Sequence, residues 1–138
     1  MPLSPALRAA YEAAEYVVFD DSAAILRIGE PCPEMDALFE ADGAARAAFV
    51  TAFNPNGLPR AEDENYAAFG RLCKVAEAAG CKLYLGQGMD PEGNWPPEPS
   101  LLLVGISRTA AEALGRSFGQ LAIVFVEKGR APELVVLD

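Results

Sequence analysis

A chain of 138 residues without a single histidine has few ways to carry out acid–base or nucleophilic chemistry. Ser-His-Asp and Cys-His systems, imidazole proton shuttles and zinc sites built on histidine are all excluded. Carboxylates, amides, hydroxyls and thiols remain. Three carboxylates, Asp90, Glu92 and Glu98, fall in one Pro- and Gly-rich stretch, where they could act as a general acid and base or as oxygen ligands for a hard cation such as Mg²⁺. Glu98 stands apart: Pro97 and Pro99 flank it, and an apolar run begins just after Ser100, so it could be held partly desolvated. It is the candidate catalytic residue. The neutral groups that could bind a ligand beside it are Thr51, Asn54, Asn65, Gln87, Ser100 and Gln120, with Trp95 as a stacking surface.

Each of these groups also has an ordinary structural use. Asn54 before Pro55 caps turns through its side-chain oxygen, Asn65 at a helix start clamps loops, and Trp95 among prolines anchors a rigid loop. Gln87 lies between Gly86 and Gly88, which permit close backbone approach. The structural alternative for Glu98 is an ion pair with Arg60 or Arg108. Ser107 reads as a helix N-cap, and Gly105-Ile-Ser107 carries only half of a nucleophile elbow. Cys73 is expected on the inward stripe of a helix, as a small hydrophobe. The cation of Lys82 beside Cys81 could lower that thiol's pKa. Gly86-Gln87-Gly88 is followed by Asp90, Pro91 and Trp95 rather than by a helix, so no phosphate fingerprint is present and neither a cofactor nor a metal site is expected.

The elements that must position these groups follow from composition and periodicity. Length and a 51% hydrophobic content fit one globular domain over residues 1–138. Twenty acidic against 11 basic residues leave a net charge of −9, and the cations are scattered without a basic run, which argues against nucleic acid and anionic membranes as partners. No apolar run approaches the about 20 residues of a membrane span, and Met1 to Tyr11 lacks an apolar signal-peptide region. With an odd number of cysteines and no C-x-x-C pair, a reduced, cytoplasmic setting is expected.

Along the chain the pattern predicts a helix from Ser4 and Pro5, and a hairpin of Tyr16 to Phe19 and Ala24 to Ile28 about Asp20, Asp21 and Ser22. A short helix from Pro33 to near Gly43 and a buried strand from Ala47 to Phe53 follow. Next come a helix from about Glu62 to Ala79, with Tyr66, Phe69, Cys73 and Ala76 inward and Leu72 and Ala79 adjoining, and a strand from Lys82 to Gly86. A long loop leads to Ser100, then a strand from Leu101 to Ile106, a helix from Arg108 to Phe118 with Ala111, Leu114 and Phe118 inward, and a hairpin of Leu121 to Val126 and Glu133 to Leu137. Strand–helix–strand order makes a parallel βαβ unit the default. The expected fold is therefore α/β or α+β, a single-layer mixed, partly parallel sheet flanked by helices, with terminal β-hairpins. If the strands near residues 50 and 83 run parallel, then Thr51, Asn54, Asn65, Gln87, Glu98, Ser100 and Gln120 gather at one sheet edge, where open α/β sheets bind ligands.

The same segments carry a resemblance. Thr51-Ala-Phe-Asn-Pro55, Glu64-Asn65, Gly86-Gln-Gly88 with Asp90-Pro91 and Trp95, Glu98-Pro-Ser100-Leu, and Phe118-Gly-Gln120 with Ala122 together resemble the small bacterial proteins grouped as domain-of-unknown-function family 3293, over roughly Tyr11 to Val135. That resemblance implies no reaction, cofactor or partner. The residues themselves support a binding module with a polar pocket formed by Thr51, Asn54, Asn65, Gln87, Glu98 and Gln120, for a small molecule or protein. The alternatives are an enzyme using Glu98 as acid or base, and an adaptor pairing through the edge strand near Leu134 to Leu137, with homo-oligomers possible.

Overall fold

A computed structural model describes residues 3–20 and 23–137, so Asp21 and Ser22 of the expected first hairpin turn lie outside the described residues. The elements, in order, are α1 (Pro5–Ala13), β1 (Glu15–Val18), β2 (Ile25–Leu26), α2 (Pro33–Asp42), β3 (Arg46–Thr51), a 3₁₀ turn (Pro55–Gly57), α3 (Glu62–Ala78), β4 (Lys82–Met89), β5 (Glu98–Val104), α4 (Arg108–Ser117), β6 (Ala122–Glu127) and β7 (Glu133–Val136). Local chemistry explains several boundaries. The Ser4 hydroxyl accepts from the Leu7 N–H at 3.2 Å, and the Ser107 hydroxyl accepts from the Ala110 N–H at 3.2 Å, so both serines cap their helices. Gly43 ends α2 in the left-handed region at φ 64°. Glu62, Asp63 and Glu64 occupy the first turn of α3, where the helix dipole favours anions.

The seven strands form one sheet in the order β2-β1-β4-β5-β3-β6-β7, and every neighbouring pair is antiparallel. The expectation of a partly parallel sheet is thus overturned, and the class is α+β. The physical reason lies in the Gly- and Pro-rich stretch. β4 continues through Gly88 and Met89, β5 starts at Glu98, and residues 90–97 close them into a hairpin. That local pairing puts β5 in the place beside β4 that a βαβ unit would have given to β3. Because β3 and β4 are both antiparallel to β5, they still run in the same direction, so their C-terminal ends meet the starts of β5 and β6 at one end of the sheet. The terminal hairpins, β1 with β2 and β6 with β7, are present.

Side-chain alternation divides the core into two layers. Val18, Leu26, Ala47, Phe49, Leu102, Val104, Val124 and Val126 face α2, which contributes Met35, Leu38 and Phe39. Ala48, Val50, Leu101, Leu103, Ile123, Phe125 and Val135 face α3 and α4. The sheet curls around α2 so far that the Gly29 N–H, just beyond β2, donates to the Pro132 carbonyl, just before β7, at 2.9 Å. On α3 the buried stripe is Asn65, Ala68, Leu72 and Ala76. It is rotated from the expected one: Tyr66 and Ala79 are exposed, and Phe69 and Cys73 only half-buried. Alanines let the helix approach the sheet closely, while Tyr66 leans edge-on against Phe53 at 5.1 Å from the rim. On α4, Ala111, Leu114 and Gly115 are buried, and Phe118 is half-buried at the helix end.

Gly86 and Gly88 are both in β4, but they differ in what surrounds them. A Cβ on Gly86 would overlap the Val17 carbonyl oxygen and sit 2.9 Å from Phe49 Cε2; on Gly88 it would meet only the Tyr16 ring, at 3.9 and 4.0 Å. Gly86→Ala is therefore expected to lower stability by about 1–3 kcal/mol, with Gly88→Ala within about 1 kcal/mol of wild type, in urea unfolding. Equal midpoints for the two variants would contradict this packing.

Candidate functional site

The site grows out of the turn after β3. Asn54 adopts the left-handed conformation at φ 47°, which Asn tolerates better than other side-chain-bearing residues. From there its backbone N–H donates to Asn65 Oδ1 at 2.9 Å, while Asn65 Nδ2 donates back to Asn54 Oδ1 at 2.9 Å. The Arg60 backbone N–H also donates to Asn54 Oδ1, at 3.2 Å, closing the loop between the 3₁₀ turn and α3. Arg60 Nε donates to Asn65 Oδ1 at 2.7 Å and its Nη2 to the Ala52 carbonyl at 3.0 Å. The last link is Asn54 Nδ2 donating to Glu98 Oε2 at 2.9 Å. The donors and acceptors fix both amide orientations, and they define one direction: from the Arg60 guanidinium through Asn65 and Asn54 to the Glu98 carboxylate.

Neither ion pair considered for Glu98 forms. Arg60 is spent on Asn65 and Ala52, and Arg108 pairs with Glu112 at 3.1 Å and Glu133 at 2.6 Å. Among the described residues Glu98 has no ion pair, and Oε1 has no hydrogen-bond partner. Burial pushes its carboxyl above the ordinary range, and the Asn54 donor opposes this only in part. Two cavities, of about 50 Å³ and about 280 Å³, share Tyr11, Trp95, Glu98 and Gln120 as walls. Tyr16, Phe49, Thr51, Gly88 and Ser100 help to line the smaller, and Leu7, Phe53, Asn54 and Pro59 the larger. Burial raises the Tyr11 phenol, with the Glu98 charge adding to it, and raises Tyr16 as well. Tyr16 donates its hydroxyl proton to the Tyr11 carbonyl at 2.6 Å, which ties α1 down beside the cavities.

The expected site residues therefore divide. Thr51, Asn54, Asn65, Trp95, Glu98, Ser100 and Gln120 come together at this end of the sheet. Thr51 Oγ1 donates to the Pro99 carbonyl at 2.8 Å and accepts from the Phe53 N–H, and Ser100 Oγ donates to the Glu98 carbonyl at 2.9 Å, so both hydroxyls brace the start of β5. Gln120 Nε2 donates to the Phe53 carbonyl at 3.2 Å. Gln87 is at the same end but on the other face, because Gly86 and Gly88 on either side of it face the α2 layer, and its Nε2 donates to Met89 Sδ at 3.0 Å. Asp90 accepts from the N–H groups of Glu92 and Asn94, a turn-forming role, and no three acidic or thiol side chains converge among the described residues. Burial raises all three thiols, so Lys82, whose ammonium is 2.7 Å from Asp42, does not activate Cys81. Sequence reasoning missed Tyr11, which it placed in no candidate site, and the role of Arg60 as the source of the amide chain.

A carboxyl whose folded pKa is raised holds its proton to higher pH than the unfolded chain does, so stability falls as pH rises through that window and stays lowered above it. Glu98→Gln keeps an oxygen for Asn54 Nδ2 and removes the charge. The variant is expected to be more stable than wild type in urea unfolding at neutral pH, with the gap closing once pH falls below the ordinary glutamate range. A variant less stable than wild type by a constant amount at every pH would contradict the assignment.

No helix among the described residues is long and apolar enough to cross a membrane. No curated protein and no solved structure matches the chain. The family model described as "Protein of unknown function (DUF3293)" matches residues 50–123, a narrower span than Tyr11 to Val135, and one that holds Arg60, Asn65, Asn54 and Glu98 together with Trp95 and Gln120. With more than half its length matched, the chain belongs to the DUF3293 family.

Proposed function

We propose that the protein is a single-domain binding module that takes a small organic molecule into the two adjoining cavities, with Glu98 as its polar anchor. The observation that carries this reading is a partly buried carboxylate with one oxygen fixed by Asn54 and the other unpartnered, set in walls that are largely aromatic and aliphatic. Ligand sites commonly pair an apolar lining with a few oriented polar groups. A carboxylate that costs stability where it sits is also the pattern expected of a group kept for function. The three unpaired thiols support a reducing, cytoplasmic setting.

A second reading, an enzyme using Glu98 as general acid or base, is favoured by the raised pKa of that carboxyl. Glu98→Gln separates the two: an enzyme loses turnover of its substrate while a pure binding module has none to lose.

The test of the pocket is a thermal-shift screen of small metabolites against wild type and Gly88→Leu, whose side chain projects from β4 into the smaller cavity. A ligand at 100 times its Kd stabilises by about 2.7 kcal/mol, a shift of several degrees for a chain of this length. Shifts seen with wild type and lost in a folded Gly88→Leu variant are the expected result. Equal shifts in both proteins would place binding elsewhere.

A further inference from the structure

Resting on the pocket reading, we infer that the ligand is a small organic amine bound as its ammonium ion, with the charge on Glu98 and the apolar body against Tyr11 and Trp95. The first reason is charge. Among the described residues no lysine or arginine lines either cavity, and Arg60 and Arg108 are committed elsewhere. A phosphate or carboxylate would enter with no counter-charge and face Glu98. A cation would supply the partner that the protein withholds.

The second reason is hydrogen-bond polarity. Among the described residues Glu98 Oε1 is an acceptor without a partner. Gln120 donates its Nε2 to the Phe53 carbonyl, and to the Phe118 carbonyl at 3.4 Å, which fixes its amide so that Oε1 is the end left over. Both of these groups accept, so the part of the ligand that meets Glu98 and Gln120 must donate, and an ammonium group offers three N–H donors with no acceptor, while the Tyr11 hydroxyl and the Trp95 indole N–H on the same walls are left to an acceptor elsewhere on the ligand or to solvent. The third reason is the wall. Tyr11 and Trp95 line both cavities, and aromatic faces attract cations more strongly than they attract neutral or anionic groups. The net charge of −9 adds long-range attraction for cations. Because α1 walls the larger cavity with Leu7, Ala10 and Tyr11, the space suits a free amine rather than a lysine carried on a partner protein.

Trp95 is the chain's single tryptophan, so its fluorescence reports this site alone. The experiment titrates wild type and Glu98→Gln with phenethylamine, 2-phenylethanol, phenylacetate and an N-acetylated lysyl peptide amide, with melting curves confirming that both proteins are folded. The expected result is phenethylamine binding at least about tenfold tighter than 2-phenylethanol, no binding of phenylacetate, and a loss of about tenfold or more for the amine alone in Glu98→Gln. If the alcohol or the acid binds as tightly as the amine, the ammonium assignment is overturned and the pocket reading stands. A peptide that binds tighter than phenethylamine overturns the free-amine assignment in favour of a protein-borne lysine. If none of the four alters Trp95 emission at millimolar concentration, the pocket reading fails and the inference fails with it.

Discussion

The chain of hydrogen bonds from Arg60 through Asn65 and Asn54 to Glu98 is the constraint on which this end of the molecule depends. It joins three separate pieces of backbone: the turn leaving β3, the first turn of α3, and the first residue of β5. Asn65 is only 4% exposed, so its amide has no access to solvent as an alternative partner, and leaving it or the facing groups unsatisfied would cost about 1–3 kcal/mol each. Arg60 reinforces the same junction through the Ala52 carbonyl. Arg60 makes no direct ion pair with Glu98; two amides stand between the guanidinium and the carboxylate. This arrangement orients one carboxylate oxygen without neutralising it.

Small residues make room for that carboxylate. Gly88 is directly opposite Glu98 in the β4–β5 ladder, and Gly86 is opposite Ser100, which in turn faces Thr51 on β3. The sheet surface beside Glu98 is thus made of residues with little or no side chain, while Tyr16, Phe49 and Trp95 stand around it. Tyr16 and Phe49 meet edge-on at 5.4 Å, a contact that Gly86 allows by leaving the Phe49 ring its space. The start of β5 is held by main-chain acceptors for Thr51 and Ser100, so the carboxylate sits on a braced strand end rather than within the hairpin loop of residues 90–97.

Much of this was legible in the sequence, and the failures have physical causes. Strand direction could be inferred from the number and order of elements, which is why Thr51, Asn54, Asn65, Glu98, Ser100 and Gln120 were placed at one end without knowing the sheet order. Adjacency could not, because hairpin closure of β4 with β5 competes with the parallel pairing of β3 with β4, and the Pro- and Gly-rich stretch looked longer than the residues 90–97 that remain outside the strands. Gln87 was misassigned because end and face are independent: strand alternation carries it to the face opposite Glu98. On α3, Leu72 and Ala76 are buried as expected, but large apolar side chains, Tyr66 and Phe69, outweighed Ala68 and the polar Asn65 that are in fact buried. Tyr11 had no signal of its own; its place beside Glu98 depends on how α1 docks, through the Tyr16 hydroxyl and through Leu7 beside Gly57.

Among the described residues Glu98 is a partly buried carboxylate, oriented by Asn54 and paired with no cation. A carbon-detected NMR titration of its side-chain carboxyl in wild type and in Asn54→Ala measures this state directly. The expected midpoint lies above that of an ordinary glutamate in wild type, and higher still in the variant, where the one donor that favours the charged form has been removed. A midpoint at or below the ordinary value, unmoved by Asn54→Ala, would contradict it.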